Sequence, residues 1–223
     1  MATLEELRSL EPPAGGSVRL SNIPWDVYET LRNQDENRHI RMTYVRGILE
    51  MMSPSKRHER VASILGRLIE AWTEVKGLGI QSCRMTTFKR QDLQSGLEPD
   101  NCYYLQHEPQ VRNRDELDLS IDPPPDLAVE VDVSSSSLDR LPVYAAIGVP
   151  EVWRWRREQI QVHRLEGDCY RTFDSSQTLA GFPIGEAADL LRERLASDDN
   201  ALVRKFRNLI STNPAGGAGQ GSA

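Results

Sequence analysis

Apolar residues recur at helical spacing in one long stretch of this chain and at strand spacing in several short ones. From His58 onward they fall at Val61, Ile64, Leu65, Leu68, Trp72 and Val75, the period of one buried helical face. Ser53-Pro54-Ser55 marks the start of that helix, and Gly77 and Gly79 mark its end. His58 lies on the stripe of Leu65 and Trp72, so it points to the core side near the helix N-terminus. Upstream, the pattern predicts a short helix over Trp25 to Arg32 behind Pro24. Strands over Ile40 to Arg46 and Ile48 to Met52 follow, joined by a turn or bulge at Gly47.

Downstream, strands are predicted over Ile80 to Lys89, Asp100 to Leu105 and Asp126 to Val133. A polar turn over 91–96 and a charged loop from Gln106 to Leu119 separate them. In the last of these strands Val129, Val131 and Val133 share one face, and Glu130 and Asp132 share the other. Ser134 to Ser137 suits the cap of a short helix over Leu138 to Ile147, ended by Gly148. Val149 to Trp155 reads as a strand whose Trp153 and Trp155 are core residues. Ile160 to Leu165 and Tyr170 to Phe173 read as a peripheral hairpin turned at Glu166-Gly167-Asp168. Helices close the chain over Ile184 to Leu195 and Asn200 to Ile210. The order predicts an α/β fold with one mixed central sheet flanked by helices. Residues 1–22, with Pro12-Pro13 and Gly15-Gly16, read as a loosely held arm. Residues 23–212 form a single domain, and 213–223 a flexible tail.

Composition narrows the function class. With 39% hydrophobic and 27% charged residues among 223, the chain is an ordinary globular one with room for a real core. No run of about 18 apolar residues is present, so no membrane helix is expected. The N-terminus is too charged for a secretory signal, and the three cysteines are odd in number and widely spaced. A cytoplasmic protein with reduced thiols is the expectation. Net charge is −6, which argues against a constitutive nucleic-acid-binding module. It is compatible with transient DNA contacts over local basic clusters: Lys56, Arg57 and Arg60, then Lys89 and Arg90, then Arg154, Arg156 and Arg157. The bland reading of each cluster is a solvated face. No Gly-x-x-x-x-Gly-Lys loop or Gly-x-Gly-x-x-Gly turn is present, and the Ser134–Ser137 run has no histidine near it in sequence.

The candidate chemistry lies in spaced acids. Asp100 follows Pro99, and thirty residues later Glu130 and Asp132 stand among strand-formers. Carboxylates buried in such surroundings need a partner, and two side by side call for a cation between them. Convergence on one divalent ion is the reading, with metal-dependent hydrolysis as the chemistry.

These segments resemble the Uma2 family of the PD-(D/E)XK nuclease superfamily. The resemblance rests on Gly47-Ile48-Leu49-Glu50-Met51-Met52-Ser53-Pro54 with His58, and on Glu98-Pro99-Asp100. It rests further on Pro124-Pro125-Asp126-Leu127-Ala128-Val129-Glu130-Val131 and on the run from Tyr144 through Gly148-Val149-Pro150-Glu151-Val152-Trp153. It covers residues 25–175 and implies a restriction-endonuclease-like core. By that likeness Asp100 and Glu130 would hold Mg²⁺ or Mn²⁺, with Asp132 a third ligand or a proton acceptor, and His58 and Glu50 would line the site. Where the superfamily has lysine two residues after the second acid, this chain has Asp132. Arg140 matches the position on the following helix to which relatives move that lysine. Arginine suits phosphate binding but stays protonated, so it is a poor base. The resemblance implies a DNA endonuclease, transiently bound to DNA and acting as a homodimer through the Trp-bearing strand or the Tyr170 region. The alternative is a catalytically degenerate member serving as an interaction module.

Overall fold

Two sheets meet at the Pro99-Asp100 dipeptide, and a long helix packs across that junction. The computed structural model describes residues 7, 10–84, 86–133 and 138–212. The strands are β1 (Ser17–Ser21), β2 (Arg41–Val45), β3 (Ile48–Met52), β4 (Gln81–Ser82), β5 (Phe88–Arg90), β6 (Ser95–Leu97), β7 (Asn101–Tyr104), β8 (Leu127–Asp132), β9 (Glu151–Arg156), β10 (Gln159–Glu166) and β11 (Cys169–Phe173). The helices are α1 (Trp25–Arg32), α2 (Lys56–Lys76), α3 (Glu108–Val111), α4 (Leu141–Ile147), α5 (Ile184–Arg192) and α6 (Asp199–Thr212).

The fold is mixed α/β, with two sheets where the sequence reading has one. The mixed sheet runs β11-β10-β9-β8-β7-β4, with β8 and β9 parallel and the other pairs antiparallel. A second, wholly antiparallel sheet runs β1-β3-β2-β6-β5. Several expectations change accordingly. The stretch from Ile80 to Lys89 is not one strand: β4 joins the first sheet and β5 the second. The end of the turn read over 91–96 instead forms β6 (Ser95–Leu97), and residues 17–21, read as arm, form edge strand β1. The hairpin β10–β11 lies at one edge of the mixed sheet, which it extends. The short helix begins at Leu141, not Leu138, and Pro142 sits in its first turn. The serine run 134–137 and the tail 213–223 lie outside the described residues.

The helix α2 forms as its pattern requires. Ser55 caps it by accepting from the His58 N–H at 3.2 Å, and Gly77 ends it in the left-handed conformation. Val61, Ile64, Leu65, Leu68 and Trp72 are buried against the Val129 and Val131 face of β8 and against α5 and α6. Val75, on the same predicted stripe, is exposed. The opposite face of β8 offers Ala128, which packs with Val143, Tyr144 and Ile147 of α4. In the second sheet Met42, Tyr44, Leu49 and Met51 pack on Tyr28 and Leu31 of α1. Alternation then turns Arg41, Thr43 and Glu50 to the other face of that sheet. Trp153 and Trp155 are fully buried on β9, between β8 and β10. The Trp-bearing strand is therefore no dimer surface; β11 and β4 are the edges of that sheet.

Candidate active site

Glu98-Pro99-Asp100 carries the chain from β6 in one sheet to β7 in the other. Proline suits the crossing because a ladder N–H there would have no partner. Glu98 locks the crossing: it accepts from Met42 N at 3.2 Å and from Thr87 Oγ1 at 2.7 Å, and pairs with Arg32. Asp100 then enters the β7–β8 ladder, its N–H donating to Val129 O at 3.1 Å. The register pairs Asn101 with Val129, and one further step sets Asp100 opposite Glu130. Carboxylates directly across two strands repel. Both are nevertheless buried, as are Glu50, His58, Arg41 and Arg140.

Cations compensate. Arg140 Nη1 donates to Glu130 Oε2 at 2.7 Å, and the Tyr144 hydroxyl donates to Glu130 Oε1. Tyr144 lies one helical turn beyond Arg140, which places both on the face of α4 that meets β8. Asp100 Oδ2 accepts from Val131 N at 2.7 Å and lies 3.1 Å from His58 Nε2. That imidazole approach lies off the hydrogen-bonding axis, so it is chiefly an ion-pair contact. Arg41 Nη1 donates to Pro99 O at 3.2 Å, and its Nη2 lies 3.9 Å from Asp100 Oδ1.

The charge states follow from these neighbours. Burial draws the His58 imidazole down, but Asp100 and then Glu59 outweigh it and hold its pKa at about 9. Burial likewise raises Asp100, yet His58, Arg41 and Arg140 together keep it below its ordinary value. Glu130 goes the other way: burial pushes it up to about 7, against the lowering effect of Arg140 and Tyr144, with Asp100 and Asp132 adding to the rise. Arg140 is desolvated, but Glu130, Asp100, Tyr144 and Glu50 hold it protonated. The site at neutral pH thus holds an ionised Asp100, a protonated His58 and Arg140, and a Glu130 near its midpoint.

The structure brings together Asp100, Glu130, Arg140, His58 and, within electrostatic reach of Arg140, Glu50. Asp132 lies at the strand end, within electrostatic reach of Glu130, its Oδ2 bonded by Arg154 Nε at 2.5 Å. Among the described residues no three acidic, histidine or cysteine side chains converge as a metal cage. A three-carboxylate site is therefore not assembled. Mg²⁺ is commonly held by one or two carboxylates and keeps several waters, so Asp100 and Glu130 are the pair that could hold one. Asp100 Oδ1 is a buried oxygen that accepts no hydrogen bond among the described residues. A hard cation is the chemical match for such an orphan.

Arg41, Tyr144 and Arg154 were not singled out as site residues in the sequence. Tyr144 had a signal, its spacing of four from Arg140. Arg41 had a weaker one, its place on the polar alternate of a buried strand beside Thr43. Arg154 is set by the parallel β8–β9 register, which pairs it with Glu130 and leaves its side chain to reach Asp132.

Among curated proteins none matches this sequence significantly. A solved structure described as a putative nuclease belonging to DUF820, from Anabaena variabilis, aligns at 15% identity with a TM-score of 0.43. The alignment covers 92% of this chain and 99% of that one. The profile of the Uma2 family, described as "Putative restriction endonuclease", matches residues 25–187. That span holds the hairpin with Glu50, the helix with His58, the Pro99-Asp100 crossing and the strand with Glu130, and the chain belongs to the Uma2 family.

Proposed function

We propose that this chain is a metal-dependent endonuclease that hydrolyses DNA phosphodiester bonds. The observation that carries the reading is the burial of Asp100, just before β7, and of Glu130, on the neighbouring β8, with Arg140 against Glu130. Asp100 and Glu130 would hold Mg²⁺ or Mn²⁺, which when bound supplies Lewis acidity toward the scissile phosphate. Arg140, fixed in place and protonated, binds a phosphate oxygen and offsets charge that develops on it. His58 is protonated near neutrality, so it serves as a charge partner and donor beside Asp100 and not as a base. Asp132 is only part-buried at the mouth, where a water can reach it, and is the proton acceptor. Glu50 sustains the charge of Arg140 from the second sheet. Cutting both strands takes two sites, so the reading includes a homodimer.

One observation favours a second reading, a catalytically degenerate protein used as an interaction module. Both oxygens of Glu130 are already engaged, by Arg140 and Tyr144. Nicking of supercoiled plasmid in Mg²⁺ or Mn²⁺ decides between them. We expect the wild type to relax the plasmid and Asp100→Ala to lose at least about a hundredfold in rate while keeping its circular dichroism spectrum. A folded wild type that leaves the plasmid intact in either metal points to the module.

A further inference from the structure

The candidate site opens outward along a run of cations. Its mouth includes Asp132 and Arg154. Asp132 also lines a neighbouring concavity of about 300 Å³, with Arg57, Arg156, Arg157 and Glu158. Arg57 and Glu158 in turn line a third, of about 600 Å³, with Lys56, Arg60, Arg192 and Arg194. The three share walls, at Asp132 and then at Arg57 and Glu158, so they lie side by side as a groove leading away from Glu130. Of the seven residues around its outer part, five are cationic and one is anionic, in a chain whose net charge is −6.

Three features of this groove work against folding. Lys56 and Arg57 open α2, where the macrodipole favours acids over bases. Arg157 and Glu158 form the two-residue turn between β9 and β10, with φ of 51° and 60°. Such turns favour Asn-Gly, and a bulky residue in the left-handed region is strained. Arg194 is buried, and its Nε has no hydrogen-bond partner among the described residues. A polyanion in the groove would offset the first of these by bringing negative charge to the N-terminal turn of α2.

Ion pairs hold the guanidinium groups in position. Glu158 is the pivot, pairing with Arg57 at 2.6 Å and Arg194 at 2.8 Å. Arg60 is held by Asp199 at 2.9 Å, and Arg192 by Asp189. Lys56 and Arg157 are exposed and make no ion pair among the described residues. We infer that this groove carries the phosphate backbone of a bound DNA strand to the Glu130–Arg140 site, and that phosphate displaces Glu158 from Arg57 and Arg194. The inference rests on the endonuclease reading for the identity of the polyanion.

The test is fluorescence anisotropy of a labelled duplex oligonucleotide with the full chain, in chelator, across a salt series. The wild type is compared with the double variant Lys56→Ala/Arg157→Asn and with Glu158→Gln; Asn tolerates the left-handed turn. The double variant should bind about tenfold more weakly, with a log K against log salt slope shallower by about 2. Glu158→Gln should bind tighter, about threefold or more, because it releases two arginines. Equal binding and equal slope for wild type and double variant overturn the groove, as does a wild type that does not bind. Weaker binding by Glu158→Gln overturns the displacement step. Plasmid nicking by the same preparations separates the two claims. A wild type that cleaves while the double variant binds unchanged refutes the groove and spares the nuclease. A wild type that does not cleave but shows the binding differences refutes the nuclease and spares the groove.

Discussion

His58 illustrates how much one buried residue can bias the stability of the whole site. Its pKa is near 9 in the folded protein against about 6.5 unfolded, a difference of on the order of 3 kcal/mol. Because the folded value is the higher, that contribution is complete below about pH 6.5. It declines as pH rises and is gone above about pH 9. Asp100, held below its ordinary value, behaves oppositely, and its contribution fades as pH falls through the acid range. Denaturant unfolding of the metal-free protein should therefore show stability falling between about pH 6.5 and 9, and His58→Gln should flatten that fall. A slope of equal size in the variant would remove His58 as its cause. Arg140 makes a separate point at this scale. It cannot give up its proton, and the structure commits it to Glu130. Losing one member of a buried pair commonly costs about 3–5 kcal/mol, so this arginine has a structural role whatever its catalytic one.

At the scale of elements, the site depends on how closely α2 lies against β7, since one carries His58 and the other follows Asp100. Asn101 Nδ2 donates to Ala62 O at 2.8 Å, tying strand to helix. Gly66 makes the approach possible. A Cβ there would stand 2.9 Å from the Tyr103 hydroxyl and 3.2 Å from Asn101 Nδ2, both on buried residues. Gly66→Ala improves helix propensity by up to about 1 kcal/mol, but the clash outweighs it. We expect a net loss of about 1–2 kcal/mol in urea unfolding. A stabilised variant would mean that the helix and strand are not in close contact. The same element scale explains why some strands could be read and others could not. Val129 and Val131 alternate with Glu130 and Asp132, so β8 announced both its faces. The strands β4, β5 and β6 are two or three residues long, too short for a period to register, and only their partners define them.

For the whole molecule, the active arrangement proposed here predicts a dimer. Light scattering behind size-exclusion chromatography should give twice 25.2 kDa at micromolar concentration; a monomer throughout would separate double-strand cutting from this chain acting alone. The edge strand β11 is the place to look, because its outer backbone groups are unpaired within the sheet. The molecule as a whole is acidic, yet five of the seven residues lining the outer concavity are cationic, so net charge is a poor guide to local potential. Among the described residues no helix is long and apolar enough to cross a membrane.

By itself the sequence determined the class of fold, the long amphipathic helix with His58 on its inner stripe, and the acids at Asp100 and Glu130. Each of these is written in local periodicity or in a short motif, and local order needs no distant partner to be read. Tertiary structure alone decided that there are two sheets, that Pro99-Asp100 is the crossing between them, and that Arg41 comes to Asp100 and Arg154 to Asp132. It also drew Glu130 to Arg140 and left Asp132 part-buried against Arg154. Those outcomes depend on register and on contacts between residues far apart in the chain, where a shift of one position along a strand sends a side chain to the opposite face.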